Sequence, residues 1–412
     1  MAPKSIQFLL LSDIHFGESC SPDFSPKDHP PKHHVSGTVP MKRGLLERLK
    51  DRQFDALLVS GDLTGRASPT EFVECKATID EIARALNIPS KNIFAAFGNH
   101  DVNWLISRLA EEPKESADPR YPEVAALIGP HFVRFSECSE SGPVPGSGVF
   151  HRDDFVLFVA NSGFCSSHDQ KYSHGQVGKA QLDWLKTAIE RAKDRSKWRV
   201  LLIHHHPFKY SYPTLVEDIS CLEEGSELVD ILGQSGFDLV CHGHRHHPKL
   251  FTEMRNGWAS PVTFLCAGSL GANATELSNG EIPNLFHVVS LDSRDGNQAA
   301  QGNVETFRYF SPKGWVPVDN SALVPLDPLH RFGSVASDTQ RTDDLKQVIA
   351  KIVASDHGEI VDMPLLGELP YSLQCLPTEE LNNLLQKQAN ATSSHRALGQ
   401  YPETVILQRV KK

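Results

Sequence analysis

Residues 239–251 read LVCHGHRHHPKLF, a short apolar run that ends in four histidines within six positions, His242, His244, His246 and His247. Imidazoles crowded at the end of a strand bring nitrogen lone pairs together, and their protonated forms repel one another. A cation that accepts the lone pairs resolves that conflict. A strand ending in ligand-type side chains also has a natural place in a layered α/β domain, where chemistry emerges at strand ends.

Working outward, short apolar runs recur up to about residue 310: SIQFLLL (5–11), DALLVS (55–60), NIFAAF (92–97), FVLFVA (155–160), WRVLLI (198–203), FDLVC (237–241), VTFLCA (262–267) and FHVVSL (286–291). Each predicts a strand, and their continuous apolar character predicts burial on both faces. Helical stretches lie between several of them. In SPTEFVECKATIDEIARALN (68–87), Ser68 offers an N-cap and Pro69 a first-turn proline. In GKAQLDWLKTAIERAK (178–193), Leu182, Leu185, Ile189 and Ala192 fall on one face. Strands alternating with helices define an α/β layered domain.

Ligand-type side chains stand at the ends of five of these runs. The first ends in SDIH, with Asp13 and His15; the second in SGDLTG, with Asp62; the third in FGNHD, with Asn99, His100 and Asp101. The fifth ends in HHHP, with His204, His205 and His206, and the sixth is the opening stretch. A lone Asp at a strand end is ordinarily a turn residue, and a lone His a hydrogen-bonded one. Five such ends in one α/β domain point instead to a shared metal centre. Mixed imidazole and carboxylate donors suit Mn, Fe, Zn or Ni rather than Mg or Ca. Two ions bridged by a carboxylate can clamp the attacking and leaving oxygens of a displacement at phosphorus.

In this order, D-x-H, G-D, G-N-H-D, H-x-P and G-H-x-H resemble the calcineurin-like metallophosphoesterases over residues 5–310. With NSGFCSSHDQKYSHGQVGKAQLDWLK (161–186), the pattern is most similar to the bacterial class III cyclic-nucleotide phosphodiesterase group, although Asn161 stands where that group usually carries Asp. The resemblance implies a four-layer αββα sandwich of two mixed sheets flanked by helices. It implies two transition-metal ions, one held by Asp13, His15 and His246, the other by Asn99, His205 and His244, with Asp62 bridging. His205 follows from counting H-x-P back from Pro207, with His204 and His206 as neighbouring rivals. It further implies hydrolysis by a metal-bridging hydroxide, with His100 facing the phosphate and Asp101 holding the His100 ring. The substrate expected is a cyclic nucleotide or another small phosphodiester. A phosphomonoesterase or protein phosphatase, or a nuclease, on the same site is the alternative.

The remaining features set bounds. The formal charge of −10 offers no general attraction for nucleic acid or anionic membrane, which disfavours extensive nucleic-acid binding. The 8 cysteines show no zinc-ribbon or redox spacing, which fits a reducing, cytoplasmic setting. The run IQFLLL (6–11) is too short to span a membrane and reads as a first strand. The expected division is a catalytic domain over 1–315, with insertions at about 18–42 and 103–150, and a C-terminal extension over 316–412. In the insertions and loops, His29, His33, His34, Tyr172 and His174 read as loop residues, and Arg66 and Arg245 adjoin ligands. Proline and turn residues across 310–334 read as a linker. Beyond it, TDDLKQVIAKIVAS (342–355) and TEELNNLLQKQ (378–388), with Thr378 as cap, predict two amphipathic helices; ETVILQRV (403–410) predicts a strand. The extension is a candidate for homo-oligomer or protein-partner contacts; a partner-binding module without catalysis is the reading from another class.

Overall fold

All eight apolar runs are strands in the structure, a computed structural model that describes residues 3–17, 39–102, 139–164, 174–192, 194–209, 220–277, 281–296, 298–319, 324–355, 360–362, 368–391, 395–398 and 406–409, with 20, 21, 24, 166 and 321. The first sheet has a parallel core of β1 (Ile6–Leu11), β2 (Ala56–Val59) and β3 (Ile93–Ala95). Antiparallel strands extend it in the order β13-β12-β11-β1-β2-β3 through β11 (Leu285–Arg294), β12 (Ala300–Phe310) and β13 (Gly314–Pro317), and β14 (Leu329–Phe332) also pairs with β12.

The second sheet has the order β4-β5-β6-β7-β8-β10-β9. Its parallel core is β6 (Phe155–Val159), β7 (Trp198–Leu202), β8 (Leu239–His242) and β10 (Val262–Cys266). The antiparallel β4 (Glu140–Ser141), β5 (Gly148–His151) and β9 (Lys249–Glu253) form its edges.

The period of two along β1 sorts its side chains between layers. Ile6, Phe8 and Leu10 pack with Leu157, Val200 and Leu239 of the second sheet, so this core lies between the sheets. Leu9 and Leu11 face the other way, against α1 (Met41–Leu49) and α2 (Pro69–Ala85). Phe158, Leu201 and Val240 form a third core with α3 (Gly178–Arg191) and α4 (Gly225–Ser235). The result is the expected αββα sandwich of two mixed sheets flanked by helices. The helix signals also hold: Ser68 and Glu71 form a capping box on α2, and Leu182, Leu185 and Ile189 of α3 are buried.

The segment 310–334, expected as a linker, instead contributes β13 and β14, and β13 crosses residues 315 and 316. Pro312 precedes β13, Pro317 ends it and Pro328 precedes β14, and a proline at the end of a short strand at a sheet edge is tolerated where one in a central strand is not. Beyond it lie α5 (Asp338–Ser355), α6 (Tyr371–Gln374), α7 (Thr378–Ala391) and a three-stranded sheet, β15 (Ile360–Asp362), β17 (Ile406–Arg409) and β16 (His395–Leu398). The expected closing strand is β17. Leu345 and Ile349 of α5 are buried, as its stripe predicts, while the side chains of Ile352 and Val353 lie outside the described residues. Thr378 uses both its amide and its hydroxyl to bind Asp327 at 2.9 and 3.0 Å. Most of both insertions, with His29, His33, His34 and Tyr172, also lies outside the described residues. Among the described residues, no helix is long and apolar enough to cross a membrane.

Candidate metal centre

The carboxyl ends of β1, β2, β3, β7 and β8 meet at one end of the sandwich. Past β1 and β2 the chain keeps pairing: the Asp13 and His15 amides donate to the carbonyls of Gly61 and Asp62, each at 3.0 Å. Asp13, His15, Asp62, His244 and His246 all take left-handed backbone, with φ between 49° and 75°. Such backbone is costly for residues other than glycine and persists only where the surroundings fix it. The Ser269 hydroxyl does so at Asp13, donating to its carbonyl at 2.6 Å, and the His244 amide donates to the Asp13 carboxylate at 3.1 Å. Gly61, at φ 100°, passes so close to the His204 ring that no Cβ fits.

Two groups of donor atoms result. In the first, His246 Nε2 lies 3.3 Å from Asp13 Oδ1 and 3.1 Å from His15 Nε2. In the second, His204 Nε2 lies 3.3 Å from Asp62 Oδ2 and 3.2 Å from Asn99 Oδ1, and His244 Nδ1 lies 3.0 Å from Asn99 Oδ1. Asp62 Oδ2 is also 3.7 Å from His15 Nε2, which places this carboxylate between the groups. Bonds of about 2.1 Å to a transition metal set neighbouring donors about 3.0–3.4 Å apart, so the spacings fit two ions. The ring orientations agree: His204 and His246 donate their Nδ1–H to the carbonyls of Ser60 and Glu276, which leaves Nε2 as the nitrogen facing the centre.

Two of the three adjacent histidines, His204 and His205, form one donor group with His244 past the end of β7 at Leu202. His204 presents its Nε2 to both Asp62 and Asn99. The Nδ1 of His205 shares a 2.8 Å hydrogen bond with Ser162 Oγ, which leaves its buried Nε2, without a hydrogen-bond partner among the described residues, for the centre. Its ring centroid is 4.4 Å from that of His244, within the second donor group.

His100 and Asp101 differ from expectation in one respect. The His100 amide donates to Asp62 Oδ1 at 2.9 Å, its ring lies 4.8 Å from that of His15, and its Nδ1–H donates to the Gly65 carbonyl at 3.0 Å. Gly65, rather than Asp101, holds the ring. Asp101 is fully buried and accepts the amides of Gly98, Leu63 and Thr64 at 2.9, 3.1 and 2.9 Å, tying the loops after β2 and β3 together. Sequence reasoning missed Gln181 altogether. From α3 it accepts the Asn161 amide at 3.1 Å and donates to the Asn161 carbonyl at 2.8 Å, which fixes the loop that carries Ser162 to His205. Of the other residues weighed, His174 pairs with Glu223 at 3.6 Å and Arg245 donates to Ser220 at 2.9 Å. His242 is fully buried.

Burial and charge divide the imidazoles. Burial depresses His15 to about 3, and pushes His205 and His244 well below their ordinary value, helped by neighbouring imidazoles. Burial also opposes a charge on His204, but Asp62, through charge and hydrogen bond, outweighs it and raises His204 to about 9. Asp13 overcomes burial in the same way and raises His246. Burial and then the neighbouring Asp62 push Asp101 up to about 7, against the pull of its three amides. Carboxylates and imidazoles in one dry cluster, three of the rings held neutral by burial, are a donor set for cations.

Two donor groups sharing a carboxylate, at the strand ends of an αββα sandwich, define a binuclear metal-binding site of the kind used by metal-dependent hydrolases. The chain belongs to the calcineurin-like phosphoesterase family, whose model matches residues 6–248, more than half of its length. Among similar proteins is a probable cyclic nucleotide phosphodiesterase of Rhodococcus erythropolis, 24% identical over 196 residues, 47% of this chain and 52% of the relative. This chain therefore spans about half the length of that relative. Another of the same description, from Synechococcus, is 25% identical over 265 residues, 64% of this chain and 82% of the relative. Among solved structures, a purple acid phosphatase from yellow lupin seeds (TM-score 0.49, 12% identity, 80% of this chain and 54% of that one) and a dimetal phosphatase from Danio rerio (0.42, 12%, 77% and 100%) are distant likenesses.

Proposed function

We propose that the protein is a binuclear metal-dependent phosphodiesterase acting on a small phosphodiester, with a cyclic nucleotide as the leading substrate class. The observation that carries this reading is the position of Asp62 between two donor groups, with the His100 ring beside it. Asp13, His15 and His246 would hold one ion and Asn99, His204, His205 and His244 the other, with Asp62 shared. Manganese, iron and zinc suit this donor set, and nickel is admissible. When bound, the ions supply Lewis-acid polarisation of a phosphoryl oxygen and a nucleophile acidified to act near neutral pH.

The protein's own residues do the rest. Asp101 and the Gly65 carbonyl fix the loop that carries His100. With Nδ1–H committed to Gly65, His100 turns its Nε2 side toward Asp62 and His15, where it can bind a phosphoryl oxygen and hand a proton to the leaving alkoxide. The class III resemblance and the two similar proteins described as probable cyclic nucleotide phosphodiesterases support a cyclic nucleotide. The experiment is a panel of cyclic nucleotides, a chromogenic diester and a chromogenic monoester, assayed with added Mn against wild-type and Asp62→Asn protein. Diesters are expected to turn over fastest. Asp62→Asn is expected to lose about a thousandfold in rate, since several kcal/mol of ion-derived stabilisation convert at roughly tenfold per 1.4 kcal/mol. Turnover unchanged in a pure, folded Asp62→Asn protein would overturn the assignment.

A further inference from the structure

Away from the metal centre, the C-terminal helices meet the edges of the two sheets and leave a cavity of about 200 Å³ in the seam. Residues 250–252 of β9 and 330–334 at the end of β14 form one side of it, while Arg341 on the first turn of α5 and residues 375–377 between α6 and α7 form the other. Two hydrogen bonds tie the walls of the seam together. The Tyr371 hydroxyl donates to the Phe332 carbonyl at 2.6 Å, and the Gly333 amide donates to Thr252 Oγ1 at 3.0 Å.

The charges lining this space are unbalanced. Arg331 is half-buried, and among the described residues its guanidinium has neither ion pair nor hydrogen bond. Arg341 has a buried Nε without a hydrogen-bond partner among the described residues, and its ion pair runs outward to the fully exposed Asp338 at a long 3.6 Å. The two converge on one thiol: burial pushes Cys375 up to about 12, and both Arg341 and Arg331 pull against that rise. The carboxylate that also lines the cavity, Glu380, is exposed at its rim. Two guanidinium groups sharing a small space repel each other, and a buried N–H without an acceptor is costly. A planar guanidinium matches a phosphate or carboxylate with two parallel hydrogen bonds. Phe251, Phe332 and Leu376 supply an apolar wall beside them. The volume lies below the usual range for drug-sized ligands, about 300–1,000 Å³, so the occupant is compact.

We propose that this seam cavity binds a compact oxyanion, a phosphate or carboxylate group on a small apolar body, held by Arg331 and Arg341. The site is separate from the metal centre and does not rest on the phosphodiesterase reading. Phenylphosphonate and benzoate, as the two oxyanion sources, are titrated calorimetrically into full-length metal-loaded protein and into Asp62→Asn protein. For at least one probe, the expected result is a binding event that persists in Asp62→Asn. It weakens about tenfold in Arg331→Gln or Arg341→Gln, as expected for losing one charge-assisted pair. It tightens in Glu380→Gln, a surface change that leaves packing intact and relieves repulsion of the anion. Binding that vanishes with Asp62→Asn and ignores the arginines overturns the proposal. So does the absence of any event in wild-type protein, which would make the space a water-filled gap.

Discussion

Asp62 and His204 carry most of the consequence at the scale of single residues. Removal of the His204 ring takes a nitrogen from beside both Asp62 and Asn99, and removal of the His205 ring takes one from the same donor group. His204→Ala and His205→Ala are therefore each expected to retain about one ion per chain, as read by elemental analysis. Retention of two ions in either variant would remove that residue from the ligand set. The proton balance gives a second prediction. A metal takes only a neutral imidazole, and His204 is raised to about 9, so at neutral pH its proton must leave before it can ligate. Metal uptake near neutrality should release protons, and apparent affinity should fall as pH drops through about 9. Titrations in buffers of different ionisation enthalpy measure both effects. A Cβ at position 98 would collide with Asp62, lying 2.7 Å from its amide nitrogen and closer still to its carboxylate. Gly98→Ala should displace the shared carboxylate and lower metal content even in folded protein.

Elements place these residues, chiefly through the loops that leave the parallel strands. Asp101 is the tie among them. Its replacement by Asn would set an NH2 group against backbone donors in a dry pocket, and Asp101→Asn is expected to cost roughly 2–4 kcal/mol in urea denaturation. The eight apolar strands were legible because burial on both faces leaves an apolar run that needs no partner to be recognised. β12, β13 and β14 were not, since β12 alternates buried and half-buried positions and the other two adjoin prolines. Likewise residue type and place marked Asp13, His15, Asp62, Asn99, His205, His244 and His246, which the structure brings together, while the approach of His204 to Asp62 and Asn99 depends on where β7 stops. The role of Gln181 was invisible because a glutamine on a helix reveals its partners only once the helix is docked.

For the whole molecule, the sandwich must hold its two sheets in register if strand ends from both are to meet. Asp238, at the start of β8, and Arg294, at the end of β11, join the sheets through two hydrogen bonds of 2.9 and 2.7 Å, and both side chains are buried. Arg294 also lies over the Trp198 ring at 4.6 Å. Removing one partner strands the other charge in the interior. Arg294→Met is expected to destabilise the fold by about 3–5 kcal/mol in urea denaturation, with the strand ends at the metal centre otherwise unchanged in sequence. The convergence of five strand ends on a pair of cations is tested most directly by elemental analysis of protein purified without added metal and then reconstituted. Two transition-metal ions per chain are predicted, falling to one or fewer in Asp62→Asn. A wild-type protein that binds none, or a stoichiometry indifferent to Asp62, would contradict it.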